Sequence, residues 1–400
     1  MGALLEELRV VEVATFVAGP AAGTLLADYG AEVIHVEPPS GDAYRKLYQL
    51  RPLPECEENY GWLLDSRNKL SVALNLKHED GRAALYRLVD SADVLITNYQ
   101  PSVLNDLKVR YEDLRERNPR LIYAHITGYG EQGDEVECPG YDATAWWARS
   151  GLMDFARVSG GEVGPSAPGM GDHPTSVALF SAIMLGLYRR QQTGLGGKVG
   201  TSLMANGLWS NAIMAQAALC GATPTPRWNH AAAPNPLLTV YRTRDERFLS
   251  LAMVKEADEW PLFCAAIARS DLEHEPRFVT SPARRANARA LVTLLDEVFA
   301  TRTLAEWMRA FNHHRITYGL VQQSFALPQD PQMRANGLFR PIVDMPGRET
   351  VDSPIYVEGA HKVAAHKAPE IGQHTRALLA RVGYGPDEIE RLVASGAAAG

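Results

Sequence analysis

Residues 8–37 read LRVVEVATFVAGPAAGTLLADYGAEVIHVE, and this stretch decides the fold class. Leu8–Phe16 is rich in Val and reads as a buried strand. Gly19-Pro20 then breaks it, with Pro20 suited to a first helical position. Ala21–Tyr29 continues as a helix, Gly30 suits its C-terminal cap, and Ala31–Glu37 is a second strand. A strand, a short helix and a strand so close together make a right-handed βαβ unit and a parallel sheet.

Working outward, the alternation continues. Ser71–Leu76, Val94–Asn98 and Leu121–Thr127 read as strands, with Glu79–Val89 and Tyr111–Asn118 as helices between them. The expected class is therefore α/β, a doubly wound, Rossmann-like parallel sheet. One long apolar helix runs over Thr175–Arg190 (TSVALFSAIMLGLYRR), ended by Thr193-Gly194. Residues 221–236 (GATPTPRWNHAAAPNP) have linker composition. Tyr241–Ala252 then reads as strand, turn and strand around Arg244-Asp245, and helices follow through Phe311. A second connector, 327–336 (LPQDPQMRAN), precedes the last segment, which ends in an Ala-Gly tail. The expected organisation is a large domain from 1–220, a smaller α+β domain from 235–325, and a return segment, 330–400, completing the large one.

A chain of 400 residues exceeds what one core supports, since cores stop growing near ~250–300 residues. Apolar residues are 46% and charged residues 22%, a globular balance. The net charge of −7 argues against a nucleic-acid surface, whose affinity comes from neutralising phosphates. Cys56, Cys138, Cys220 and Cys264 form no CxxC pair, so neither a disulfide framework nor a zinc site is expected. Glu6 and Glu7 stand where a signal peptide needs an apolar core. The longest apolar stretch, Val177–Tyr188, falls short of the ~20 residues that span a bilayer. A cytoplasmic protein with no metal, no membrane and no nucleic-acid partner is expected.

Several motifs fail on inspection. In 193–198 (TGLGGK), Gln192 stands where a P-loop needs its first Gly and Val199 follows the Lys, so a linker turn is the reading. Gly19 and Gly23 approach a dinucleotide fingerprint, but Ala21 replaces the Gly that lets backbone reach a pyrophosphate. His313-His314, His361 and His366 lack a ligand set around them, and no HExxH or GxSxG is present.

One constellation remains. In 168–175 (PGMGDHPT), Asp172 follows a Gly-rich turn and precedes Pro174 at the start of the long helix. In isolation such an Asp reads as a helix cap. The helix dipole and free N–H groups there also predict an ionised carboxylate at neutral pH.

The stretch 11–45 (VEVATFVAGPAAGTLLADYGAEVIHVEPPSGDAYR) resembles the opening of the class III, formyl-CoA transferase-like (CaiB/BaiF) CoA-transferases. So do SRNKLSVALNLK, LIYAHITGYGEQG, PGYDATAWWARSG, GMGDHPTS, TGLGGKV, DPQMRANGLF and APEIGQHTRALLARVGYGPDEI, in the family's order across nearly the whole chain. The nearest branch is that of the phenyllactate and 2-hydroxyisocaproate CoA-transferases. The resemblance implies an interlocked homodimer, an acyl-CoA and a free acid as substrates, and Asp172 as nucleophile. An aspartyl anhydride and then an aspartyl-CoA thioester would form on it. It further implies that Val17 and Ala18 line the reacting centre with an oxyanion-binding N–H. Arg67, Asn68, Lys69, Asn98 and Tyr99 would contact CoA. Val17 replaces the Gln of formyl-CoA transferases, which points to a bulkier, more apolar acyl group; the Trp146-Trp147 pair either lines a site for such a group or packs under it. Pro38 and Asp106 replace CoA-binding arginines of that branch, with Lys108 or Arg110 as candidate substitutes. The 2-methylacyl-CoA racemases of the same superfamily use a His where this chain has Tyr141, in Gly140-Tyr141-Asp142. A tyrosine with pKa near ~10 is a poor base at neutral pH, which favours transfer. A binding protein that had lost turnover would show a replaced nucleophile. The glycine-rich loop of formyl-CoA transferase has no counterpart around Asn229–Pro236.

Overall fold

A computed structural model describes residues 2–400. Two compact units emerge: residues 1–156, 164–222 and 332–400 form the first, and 157–163 with 223–331 form the second. No composition break marks 157–163, which fall within the expected 1–220 domain but belong to the second unit.

The first unit is built on β1 (Arg9–Val13), α1 (Ala18–Asp28), β2 (Glu32–Glu37), α2 (Tyr60–Asp65), β3 (Leu70–Leu74), α3 (Glu79–Asp90), β4 (Val94–Thr97), α4 (Pro101–Leu107), α5 (Tyr111–Leu114) and β5 (Ile122–Thr127). These are followed by α6 (Leu152–Phe155), α7 (Asp172–Thr193), β6 (Gly197–Ser202), α8 (Leu203–Ser210) and α9 (Ala212–Leu219). Strands lie in the order β3-β2-β1-β4-β5-β6, all parallel. That is the doubly wound order, in which the winding reverses between β1 and β4.

Both faces of a parallel sheet must be covered, and here alternate residues serve opposite sides. Val11 and Val13 join Leu85, Leu88 and Leu95 in one core, whereas Val10 joins Leu26, Leu179 and Ile183 in the other. A buried ion pair interrupts the second face: Glu12 receives Lys69 Nζ at 2.9 and 3.0 Å and His35 Nδ1 at 2.7 Å. Gly23 exists for that carboxylate, because a Cβ there would collide with Glu12 Oε2.

Three local readings need correction. The first strand ends at Val13, and Phe16 adopts a positive φ of 61°, so residues 14–17 are a turn and α1 starts at Ala18. The linker turn expected at 193–198 gives way at Gly197 to the sixth parallel strand, residues 197–202, paired with β5 from Ile122–Gly197 to Thr127–Ser202. Gly200 is required there because a Cβ would lie 2.5 Å from the His125 carbonyl oxygen. The Ala-Gly tail also belongs to the sheet, Ala398 and Ala399 pairing antiparallel with Leu74 and Ala73.

The second unit has a three-stranded antiparallel sheet of residues 240–242, 248–251 and 318–321 with helices at 256–266, 281–286, 288–299 and 304–314. Its core is aromatic: Tyr241, Phe263, Phe299, Trp307 and Phe311 are fully buried. Among the described residues no helix is long and apolar enough to cross a membrane.

Candidate active site

In an open parallel sheet a crevice opens beyond the strand C-termini where the winding reverses. Here it is lined by Thr15–Ala18 after β1, Asn98–Pro101 after β4, Ile126–Gly128 at the end of β5, Cys138–Tyr141, Asp172 and Leu203. Of the nine residues singled out from the sequence, six meet in this cavity: Val17, Ala18, Asn98, Tyr99, Tyr141 and Asp172.

The β1–α1 turn is held by Asn98, whose Oδ1 accepts from Thr15 N at 3.0 Å while Nδ2 donates to Thr15 O at 2.7 Å. Thr15 Oγ1 also donates to buried Asp42. A bulky residue in left-handed backbone persists only when its surroundings impose it, and these clamps impose it on Phe16. The Phe16 ring stands edge-on to Tyr141 at 5.7 Å. Beyond the turn, the opening N–H groups of α1 have no intrahelical acceptor, and no side chain caps them.

Asp172 is the first residue of α7 and does not cap it. The residue before it, Gly171, donates its N–H to Asp142 Oδ2 at 3.4 Å, while no hydrogen bond or ion pair engages the Asp172 carboxylate among the described residues. Gly171 is needed because a Cβ would lie 2.5 Å from Trp146. Trp146, stacked on Trp147, thus packs beneath the start of α7 and does not line the cavity. The expected ionisation is corrected too. Burial, then the charges of Asp142 and Asp65, push the Asp172 pKa up to about 7, with His173 opposing them.

The other three residues lie elsewhere. Arg67 is buried, with its guanidinium on Asp28 at 2.7 and 3.0 Å and on Leu64 O at 2.6 Å. Lys69 Nζ is committed to Glu12 and, at 2.7 Å, to Pro20 O, and burial lowers its pKa. Asn68, at φ 63°, accepts from His366 N at 2.7 Å. In this conformation the 67–69 turn is tied into the protein interior. Arg110 is likewise paired, with Asp113 at 3.0 Å.

One cation escaped the sequence reading. A neighbouring cavity at the ends of β1 and β2 shares Thr15 and Tyr99 with the first and includes Lys46 and Pro38. Lys46 is exposed and, among the described residues, forms no ion pair. No motif marks it, since it sits in a 3₁₀ turn from Ala43–Gln49.

A sequence profile described as CoA-transferase family III matches residues 5–375. The chain belongs to CoA-transferase family III. It is 33% identical over 394 residues to the cinnamoyl-CoA:phenyllactate CoA-transferase of Clostridium sporogenes, covering 96% of this chain and 95% of that one. Against the (R)-2-hydroxy-4-methylpentanoate CoA-transferase of Clostridioides difficile the identity is 31%, covering 97% and 98%. The mouse succinyl-CoA:glutarate CoA-transferase is 32% identical, with 98% of this chain and 89% of that one covered. A CaiB/BaiF family protein from Brucella suis has a solved structure that superposes with a TM-score of 0.83 at 27% identity, covering 96% and 100%. This CoA-transferase therefore carries its one unengaged site carboxylate, Asp172, at the switch point of the sheet, beside the free start of α1.

Proposed function

We propose that this CoA-transferase moves CoA from an aryl, branched or 2-hydroxy acyl-CoA to a free monocarboxylic acid of the same kind, through Asp172. The carrying observation is a carboxylate facing an apolar cavity and held by no partner, which a covalent nucleophile requires. An Asp172 oxygen attacks the thioester carbonyl, the C–S bond breaks, and a mixed anhydride and CoA thiolate result. The thiolate then attacks the aspartyl carbonyl, the anhydride C–O bond breaks, and the donor leaves as a carboxylate. An aspartyl-CoA thioester remains, and the acceptor carboxylate reverses both steps. No proton is gained or lost overall. The oxyanion of each tetrahedral step would be met by N–H groups at the start of α1, near Val17 and Ala18, where a single donor is worth about 3–4 kcal/mol.

Substrate class follows from the wall. Phe16, Val17, Val103, Ile126, Val136, Tyr141 and Leu203 face the cavity, and no Arg, Lys or His is among its lining residues. A dicarboxylate would bring a second charge to a wall with no counter-ion, whereas an aryl or branched chain buries apolar surface there. The CoA chain would run over Tyr99 toward Lys46, a cation free to meet its phosphates where Pro38 replaces an arginine. Arg67 and Lys69 would act indirectly, by fixing the turn beside α1. We further read the exposed apolar residues Leu185 and Tyr188 of α7, and Trp209, Ile213 and Leu219 beyond it, as a face covered in a homodimer.

The test is mass spectrometry of the Asp172 peptide after mixing the enzyme with a panel of aryl, branched and dicarboxylic acyl-CoAs and quenching with hydroxylamine. A hydroxamate on Asp172 with aryl or branched donors supports the reading. Deuterium uptake at the substrate α-carbon without a peptide adduct refutes it.

A further inference from the structure

The residue after Asp172 is held with an oxygen within hydrogen-bond distance of each ring nitrogen. His173 Nδ1 lies 3.1 Å from the Gly169 carbonyl oxygen and Nε2 lies 3.0 Å from Asp65 Oδ1. The other Asp65 oxygen accepts from Tyr44 OH at 2.7 Å. Asp65 thus has one oxygen on the Tyr44 hydroxyl and the other on the His173 ring. A neutral imidazole has one N–H and leaves one of its two contacts unmade, whereas the cation donates to both acceptors. Asp65 is itself buried at the end of α2; the Lys69 charge also reaches it, but Lys69 is bonded to Glu12, so His173 is the cation in contact with Asp65.

We propose that His173, held as an imidazolium by Asp65 and Tyr44, is the positioning residue that keeps the neighbouring Asp172 carboxylate in its charged form. The inference rests on Asp172 being the nucleophile. Its need is plain from what else surrounds the carboxylate. Asp142 on the Asp142–Ala148 turn and Asp65 on α2 are both acidic, and no Lys or Arg lines the cavity. On the far side of His173, Arg67 and Asp352 share a second, mostly apolar cavity with it. Each of those is already paired, Arg67 with Asp28 at 2.7 Å and Asp352 with Lys362 at 2.8 Å. His173 is therefore the positive group left to act on Asp172. The pKa directions agree: burial would lower that of His173, but the bond and charge of Asp65, joined by Asp172, raise it above the ordinary value. The His173 side chain is 44% exposed and borders that second cavity, so solvent partly screens its field at Asp172.

The experiment is the pH dependence of kcat/KM for wild type, His173→Gln, His173→Arg and Asp65→Asn with one arylacyl-CoA donor. Trapping of the Asp172 adduct at pH 9 is a separate readout on the same proteins. His173→Gln keeps size and hydrogen-bonding capacity without charge. Its acid limb should move up by about one unit, an approximately ten-fold loss at pH 6 with little change at pH 9. His173→Arg should return the limb toward wild type, and Asp65→Asn, which removes the partner of His173 but also an acid that raises the Asp172 pKa, should move it less than His173→Gln does. An unmoved limb in His173→Gln, with the Asp172 adduct still trapped, overturns the role of His173 alone. So does a loss uniform across pH that His173→Arg does not relieve, which is what packing damage gives. Absence of an adduct in the wild type overturns the nucleophile reading and this inference with it.

Discussion

Replacing Asp172 by Asn keeps the side-chain shape and removes both its charge and its nucleophilicity, so it separates a catalytic carboxylate from a structural cap. The carboxyl is raised to about 7 mainly by burial, against about 3.9 for an unperturbed Asp. Keeping it charged in the folded state therefore costs up to about 4 kcal/mol above pH 7, and somewhat less given its partial exposure. The sign follows from the raised folded value. The folded state binds the proton more tightly, so the penalty is absent below about pH 4, grows between about pH 4 and 7, and is full above pH 7. Asn does not titrate. Asp172→Asn should thus be more stable than wild type by roughly 2–4 kcal/mol at pH 8 and by about 1.5 kcal/mol or less at pH 5. At a few degrees per kcal/mol, the melting temperature at pH 8 should rise by about 4–8 °C. Transfer should fall by at least ~10⁴-fold, as for removal of other covalent nucleophiles. The assay is urea and thermal unfolding at both pH values, following the transition of the first unit separately because the chain has two compact units. A variant less stable than wild type at pH 8, with the deficit independent of pH, would show that Asp172 is a cap and refute the electrostatic reasoning. Retained transfer would refute the mechanism.

Three further outcomes are expected. Wild-type kcat/KM should rise with pH along a limb centred near 7 and fall about ten-fold per unit below it, since the carboxylate must be unprotonated to attack; a limb near pH 4 in a pH–rate profile contradicts the raised value. Asn98→Ala removes both hydrogen bonds that clamp Thr15 and should lower stability by about 1–3 kcal/mol, with a larger loss in kcat than in KM as the Phe16 turn relaxes; unchanged kcat in steady-state kinetics argues that the turn does not place the oxyanion donors. Lys69→Met leaves the Glu12 carboxylate buried without its cation and should destabilise the fold by about 3–5 kcal/mol in urea unfolding; a stable variant with only a raised KM for acyl-CoA would restore Lys69 as a CoA contact.

The parts of the fold written in local pattern were legible. Val-rich runs with helical stretches between them mark β1 to β5, and the long apolar run marks α7, because period and turn chemistry are properties of neighbouring residues. The strand of residues 197–202 was not legible. Its glycines lower strand propensity, yet they are needed where β6 passes the His125 carbonyl. The Ala-Gly tail hid in the same way, since two residues become a strand only once β3 offers an edge. In the site, Asp172 could be found from the Gly-Asp-x-Pro pattern at a helix start. Lys46 could not, because nothing in its neighbours says that a cavity opens beside it.

By itself, then, the sequence determined the α/β class, the family, the long helix that follows the candidate nucleophile, and five further residues that line one cavity with it. The tertiary structure alone decided what each charge is for. Arg67 and Lys69, read as CoA contacts, are spent on the buried acids Asp28 and Glu12. Asp172, read as an ionised helix start, is raised to about 7 and left beside a doubly bonded His173. The reason is physical: periodicity is encoded within a few residues of chain, but the dielectric and partners of a charge come from segments tens to hundreds of residues away.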